Sequence, residues 1–208
     1  MGVGGDMVKS GTDDFIGRVN VTLAHFKFAH SDTLHTLFKA FCMALYGCQL
    51  WDYSSKEVNY FYKTWRKCVR RVWRLPPRTH NELLHLICGE VRVEQQLHRR
   101  LAKFLKALGQ SDNELVHLCL QLTVRGSRSP VANSVALLSH RYGWDREGLL
   151  HGELISGLIS TITRHEPSVE NDTRQASFVR ELISMRDRKS GPLSPDEADV
   201  IIENLCVD

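Results

Sequence analysis

The chain has 208 residues, 42% of them hydrophobic and 25% charged, a globular composition that excludes a disordered tract or a collagen-like repeat. Its 27 Lys and Arg against 24 Asp and Glu leave a formal charge of +3, which taken whole argues against an overtly basic nucleic-acid-binding chain. The charge is segregated, however. Residues 1–55 carry −1, residues 56–106 carry thirteen bases and four acids for +9, and residues 107–208 carry −5. A basic quarter followed by an acidic half points to a polyanionic partner for one region alone.

The glycine-rich start, Met1 to Gly5, reads as frayed, and residues 1–12 as a flexible tail. Phe15, Ile16, Val19, Leu23 and Phe26 then recur at helical spacing. Leu34, Leu37, Phe38, Phe41, Cys42 and Leu45 form a second stripe behind Ser31 as N-cap. Val58, Phe61, Trp65, Cys68, Val69 and Val72 make a third, stopped by Pro76-Pro77. Leu97, Leu101, Phe104, Leu105 and Leu108 make a fourth, ending at Gly109.

Beyond it, Ser111-Asp112-Asn113-Glu114 reads as a capping box before an inward stripe of Leu115, Leu118 and Leu122. Ser129-Pro130 opens a helix through Val131, Val135 and Leu138. Leu150, Leu154, Leu158 and Ile162 define another before Pro167. Ser194-Pro195-Asp196-Glu197 is a second capping box, leading to Val200, Ile201 and Leu205. With no alternating strand pattern, the expected fold is all-α, an irregular multi-helix bundle with a basic amphipathic helix near residues 56–74. A change of charge and composition near 109–110 divides it into helical regions 13–109 and 110–208.

The six cysteines show no CxxC pair or disulfide framework, and His80, His85 and Cys88 match no common zinc-finger spacing, so no metal and no cofactor are expected. The start lacks a signal-peptide pattern, and the longest apolar run, 41–48, is far below the ~20 residues of a membrane helix. The expected setting is intracellular, cytoplasmic or nuclear, without secretion or a membrane partner.

Lys63, Arg66, Lys67, Arg70, Arg71 and Arg74 are spaced 3, 1, 3, 1 and 3 apart, which places all six on one helix face opposite the apolar stripe. No acid falls between Glu57 and Glu82 to neutralise them, and Arg78 extends the patch past the prolines. Charged stripes are most often solvated surface. Here the purity of sign, and four arginines against two lysines on that face, favour phosphate contact by these seven residues. Most aromatics nearby belong to the apolar stripe; Tyr60 and Tyr62 are the candidates for stacking on bases.

The block 41–52, with Tyr46-Gly47 followed by Leu50-Trp51, resembles a segment downstream of the catalytic core in LINE-type (non-LTR) retrotransposon reverse transcriptases. A basic helix around Trp65 to Trp73 follows, as in those proteins, and Leu75-Pro76-Pro77-Arg78-Thr79-His80 is similar to their LPxRTH turn. Ser127 to Asn133 and Arg141-Tyr142-Gly143-Trp144 resemble later, weaker signatures. The resemblance spans roughly residues 15–145 and implies the thumb and post-thumb region of such a polymerase, whose helices track template–primer backbone; region 13–109 is then thumb-like.

The resemblance does not extend to catalysis. The adjacent acids Asp13-Asp14 lack the aromatic-x-Asp-Asp form and a strand hairpin for two metal ions, and are expected to cap the first helix. The palm and fingers are not represented, and no Cys–Cys–His–Cys knuckle is readable. The expectation is a non-catalytic remnant or fragment that binds RNA or DNA backbone, and not an enzyme by itself. Its further partners would be the missing palm and fingers or a second copy, with Trp51, Trp65 and Trp73 as candidate exposed apolar surface. The alternative is a helical protein-interaction module whose basic face meets an acidic protein surface, such as residues 107–208.

Overall fold

The computed structural model describes residues 3–126, 128–150, 154–164, 170–188 and 193–207. Among them the regular structure is all helical: α1 (Val3–His25), α2 (Ser31–Leu37), α3 (Lys56–Val72), α4 (Asn81–Cys88), α5 (Val93–Gly109), α6 (Glu114–Val124), α7 (Pro130–Tyr142), α8 (Leu154–Arg164), α9 (Glu170–Arg188) and α10 (Pro195–Cys206). None of the described helices is long and apolar enough to cross a membrane.

The chain forms two compact units, each drawn from three separate stretches. The first takes Met1–Gly11, Tyr46–Tyr62 and Val93–Glu166; the second takes Thr12–Leu45, Lys63–Arg92 and Pro167–Asp208.

Helix α1 starts well before the sequence pattern indicated. The expected tail is helical from Val3, and Asp13 and Asp14 lie in mid-helix, exposed, so they cap nothing. Met1 and Gly2 lie outside the described residues. Val8, Thr12, Phe15 and Val19 are all buried at spacings of four, three and four, so the inward face runs further toward the N-terminus than the aromatic stripe suggests.

In the first unit the turn after Tyr46-Gly47 is fixed by α7. The Ser134 hydroxyl donates to the carbonyl oxygen of Trp51 (2.7 Å) and accepts from the Tyr53 amide (2.8 Å), while Asn133 donates to Asp52 (2.6 Å). Trp51 is buried edge-on to Phe61, with centroids 5.3 Å apart. The capping of α7 by Ser129, with Pro130 at its start, follows the sequence pattern. That of α6 does not: Asn113, and not Ser111, accepts from the Leu115 and Val116 amides.

The inward face of α6 also differs from expectation. Leu115, Leu118 and Leu122 are exposed, whereas Leu120 and Val124 are buried. This helix carries apolar residues on most of its circumference, so the row 116, 120, 124 competes with 115, 118, 122, and packing selects the former. Of the stripe expected on α8, Ile162 is buried; the side chains of Leu150 and Leu154 lie outside the described residues, as do Ser127 and Pro167.

In the second unit, α2 continues into a π-helical turn, Phe38–Cys42, closed by the Met43 amide on the Phe38 carbonyl (3.2 Å). The wider turn rotates later residues around the axis. Phe41, expected in the core, therefore faces out, while Cys42 and Met43 are buried. Ser31 is not the cap of α2. His30 stands at that position without a side-chain cap, and the Ser31 amide donates instead to the Asp187 carboxylate on α9 (2.5 Å). The box at Ser194 and Glu197 forms as expected, and Ala198, Ile202 and Cys206 face the core of α10, leaving Val200 exposed.

Candidate nucleic-acid interface

Helix α3 divides as its sequence indicates. Val58, Phe61, Trp65, Cys68, Val69 and Val72 are all buried. Trp73 is buried as well, so with Trp51 and Trp65 the expected exposed tryptophan surface is not found: Trp51 packs on Phe61, and the Trp73 ring lies 5.1 Å from that of His35. Tyr60 is exposed and Tyr62 is buried, which removes Tyr62 as a stacking candidate.

The seven basic residues fall into two groups, all within the second unit. Lys63, Lys67 and Arg78 are exposed, and Arg66 is half-buried beside them. The three arginines at the end of α3 are engaged by the fold. Arg70 donates twice to the Thr79 carbonyl (3.2 and 2.6 Å) and once to the Asn81 side chain (2.8 Å), holding the turn after the double proline. Burial, and after it the like charge of Arg66, lower the proton affinity of Arg70. Arg71 donates to the Asn20 side chain on α1 (2.9 Å).

Arg74 is the most constrained of the seven. The Leu75 amide bonds to the Arg70 carbonyl (2.8 Å) and the Arg74 amide to the Arg71 carbonyl (3.3 Å), the paired bonds of a Schellman end. That ending requires a left-handed residue, and Arg74 supplies it at φ 51°, where glycine is the ordinary choice. Its guanidinium donates to the carbonyls of Lys27 (3.0 Å) and Ala29 (2.8 Å) and lies 3.4 Å from the Asp187 carboxylate.

Of the loop that Arg74 holds, Phe26 alone belongs to an apolar stripe of the sequence. Phe26 is 47% exposed although it continues the α1 stripe, and Phe28 is 88% exposed. The Lys27 ammonium sits 4.7 Å from the centroid of the Phe28 ring. Lys27, Phe28, Arg74, Arg186, Asp187 and Asp199 line a cavity of about 490 Å³. The one available signal is the alternation of basic and aromatic residues across His25-Phe26-Lys27-Phe28, which has the period of a strand but is too short to specify one.

Beneath the loop, burial raises the Asp187 carboxyl, but its hydrogen bonds from Ser31 and the Arg186 guanidinium outweigh that and hold it below its ordinary value. His85 and Cys88 are buried on α4 while His80 is exposed, and among the described residues no group of three or more His, Cys, Asp or Glu converges to hold a metal ion. What this surface offers chemically is cationic hydrogen-bond donors fixed along one helix, with aromatic rings at its end. Comparison with protein-family models, curated proteins and solved structures finds no match for the chain.

Proposed function

We propose that this chain is a non-catalytic module that binds nucleic-acid backbone, a remnant or fragment of the thumb type of non-LTR retrotransposon reverse transcriptase, with α3 lying along a template–primer duplex. The supporting observation is the one-signed face of α3, on which Lys63 and Lys67 are exposed and which Arg78 extends. The motif resemblance, which implies a template-tracking helix at the same residues, supports the reading. Arg71 retains unused donors for a phosphate after its bond to Asn20. No catalytic step is assigned to the chain.

The test is fluorescence anisotropy of an RNA–DNA hybrid and a DNA duplex across a salt series. Contacts to six phosphates give a log–log slope of about −5, and contacts by Lys63, Lys67 and Arg78 alone about −3. The triple variant Lys63→Glu, Lys67→Glu, Arg78→Glu keeps the engaged arginines and abolishes binding. Equal binding by that variant, or no binding of either duplex at low salt, rejects the reading.

The second reading, a protein-interaction module with an acidic partner, is favoured by one contact: Asp187, from the acidic half of the chain, meets Arg74 on this face. Capture of polyglutamate without duplex binding is the outcome that selects it.

A further inference from the structure

We infer that the loop at Phe26 to Ala29 is a base-stacking tip that engages an unpaired nucleotide next to the backbone tracked by α3. The inference rests on the backbone-binding reading and adds to it a preference for duplex ends that carry a single strand.

Three observations within one unit carry it. First, two phenylalanines stand in solvent on one short loop, Phe28 almost completely so. An aromatic ring left this open forgoes the burial that elsewhere stabilises the fold, and base–aromatic stacking is the interaction that uses such a face without regard to sequence. Second, the loop is held and not free: the Ala29 amide closes a turn on the Phe26 carbonyl (2.9 Å), and Arg74 donates to the carbonyls on either side of Phe28. That hold is maintained by a non-glycine residue in the left-handed region at the C-terminus of the basic helix, and strain of this kind collects at functional sites. Third, Lys27 covers one face of the Phe28 ring, which leaves the other face for a base and an ammonium beside it for the adjoining phosphate.

The competing occupant is an anionic bilayer, into which exposed Phe and Lys also insert. The adjoining cavity argues against it, because Asp187 and Asp199 line that cavity along with the cations. A paired base within a duplex is excluded sterically, since its faces are already stacked. The chemistry that fits is an unpaired purine or pyrimidine, of RNA or DNA, at a junction.

The experiment measures affinity for a blunt RNA–DNA hybrid, the same hybrid with a four-nucleotide single-stranded extension, and that extension with an abasic site at its first position. Wild type is expected to bind the extended hybrid about ten-fold more tightly than the blunt one, as one stacked base contributes. The abasic site removes that gain. Phe28→Leu removes it while leaving blunt affinity and the melting transition unchanged, and Phe28→Trp retains it.

Equal wild-type affinity for blunt and extended hybrids, or a preference that survives Phe28→Leu, overturns the inference while the backbone reading stands. Binding of the extended but not the blunt hybrid supports the stacking tip and rejects the backbone reading. No binding of either rejects both. Binding of phosphatidylserine vesicles that Phe28→Leu abolishes, without any preference for the extended hybrid, reassigns the loop to a membrane.

Discussion

The guanidinium of Arg186 donates to the carbonyl oxygen of Trp73 at 3.2 Å, so a residue of α9 closes the C-terminus of the basic helix. The same side chain, 7% exposed, donates to the Arg74 carbonyl (3.1 Å) and to Asp199 (2.9 Å), and lies 3.4 Å from the Ser31 hydroxyl. Helix-terminal carbonyls lack intrahelical donors, and buried without a partner each would cost about 1–3 kcal/mol. One arginine satisfies two of them and also neutralises Asp187, itself the cap of α2.

Arg186→Ala is therefore expected to destabilise the protein by about 3–5 kcal/mol, since it strands both carbonyls and leaves Asp187 without its principal countercharge. Arg186→Lys keeps the charge but lacks the planar fork that reaches several acceptors, and recovers only part of the loss. Urea denaturation midpoints check both. Equal stability of the alanine variant and wild type would show that solvent replaces these bonds.

Gly11 and Gly17 both lie in α1 and should respond in opposite directions to alanine. A Cβ on Gly11 would come within 2.7 Å of the indole of Trp51, a buried ring with no room to retreat. A Cβ on Gly17 meets nothing within 4 Å. Gly17→Ala is expected to stabilise by about 0.5–1 kcal/mol through helix propensity. Gly11→Ala has the same propensity gain but is expected to lose about 1–3 kcal/mol to overpacking. Thermal melts of the two variants side by side decide it.

His98 sets a pH dependence. It is buried with Nδ1 sharing a hydrogen bond with the Tyr142 hydroxyl (2.8 Å), and burial first, then the Arg141 charge, push its pKa down to about 3. The unfolded chain takes up this proton near the ordinary 6.5, whereas the folded chain does so only near 3. Between those values the unfolded state binds more protons. Stability from this group is thus fully present above pH 6.5 and falls on acidification by up to about 1.4 kcal/mol per pH unit. His98→Gln, which still offers Tyr142 a hydrogen bond, should flatten the profile of urea midpoints between pH 6.5 and 4. An unchanged slope would place the acid sensitivity elsewhere.

How much of this was legible in the sequence varies with the element. Helix α3 was readable because its two faces are chemically pure, and every residue of its apolar stripe is buried. Helix α6 was not, because it carries two apolar rows and only the surrounding helices choose between them. The cap of α2 was invisible for another reason: the carboxylate that accepts from its first amide, Asp187, is 156 positions away along the chain. The same distance effect hid the fate of the basic face. Spacing alone puts Arg70, Arg71 and Arg74 beside Lys63 and Lys67, but only the folded chain brings Thr79, Asn20 and the Lys27 carbonyl within reach of those arginines. Phe28 carries no such signal, because it lies off the helical spacing of the α1 stripe and in an alternation too short to specify a strand.

Arg74 allows the cost of the left-handed ending to be separated from the value of the contacts it supports. Arg74→Gly and Arg74→Ala both delete the donors to Lys27 and Ala29, so both loosen the loop. They differ in backbone: glycine adopts φ 51° freely, while alanine retains the penalty of about 1 kcal/mol carried by an L-residue there. Arg74→Gly is accordingly expected to be more stable than Arg74→Ala by about 1 kcal/mol. Relative to wild type, the glycine variant trades that relief against hydrogen bonds worth about 0.5–1.5 kcal/mol each, and ends slightly less stable. Amide exchange gives the local readout: the Ala29 amide, bonded to the Phe26 carbonyl, should exchange faster in both variants to a similar degree. If exchange at Ala29 is unchanged in both, the turn holds itself, and the strained arginine is not what keeps Phe28 in place.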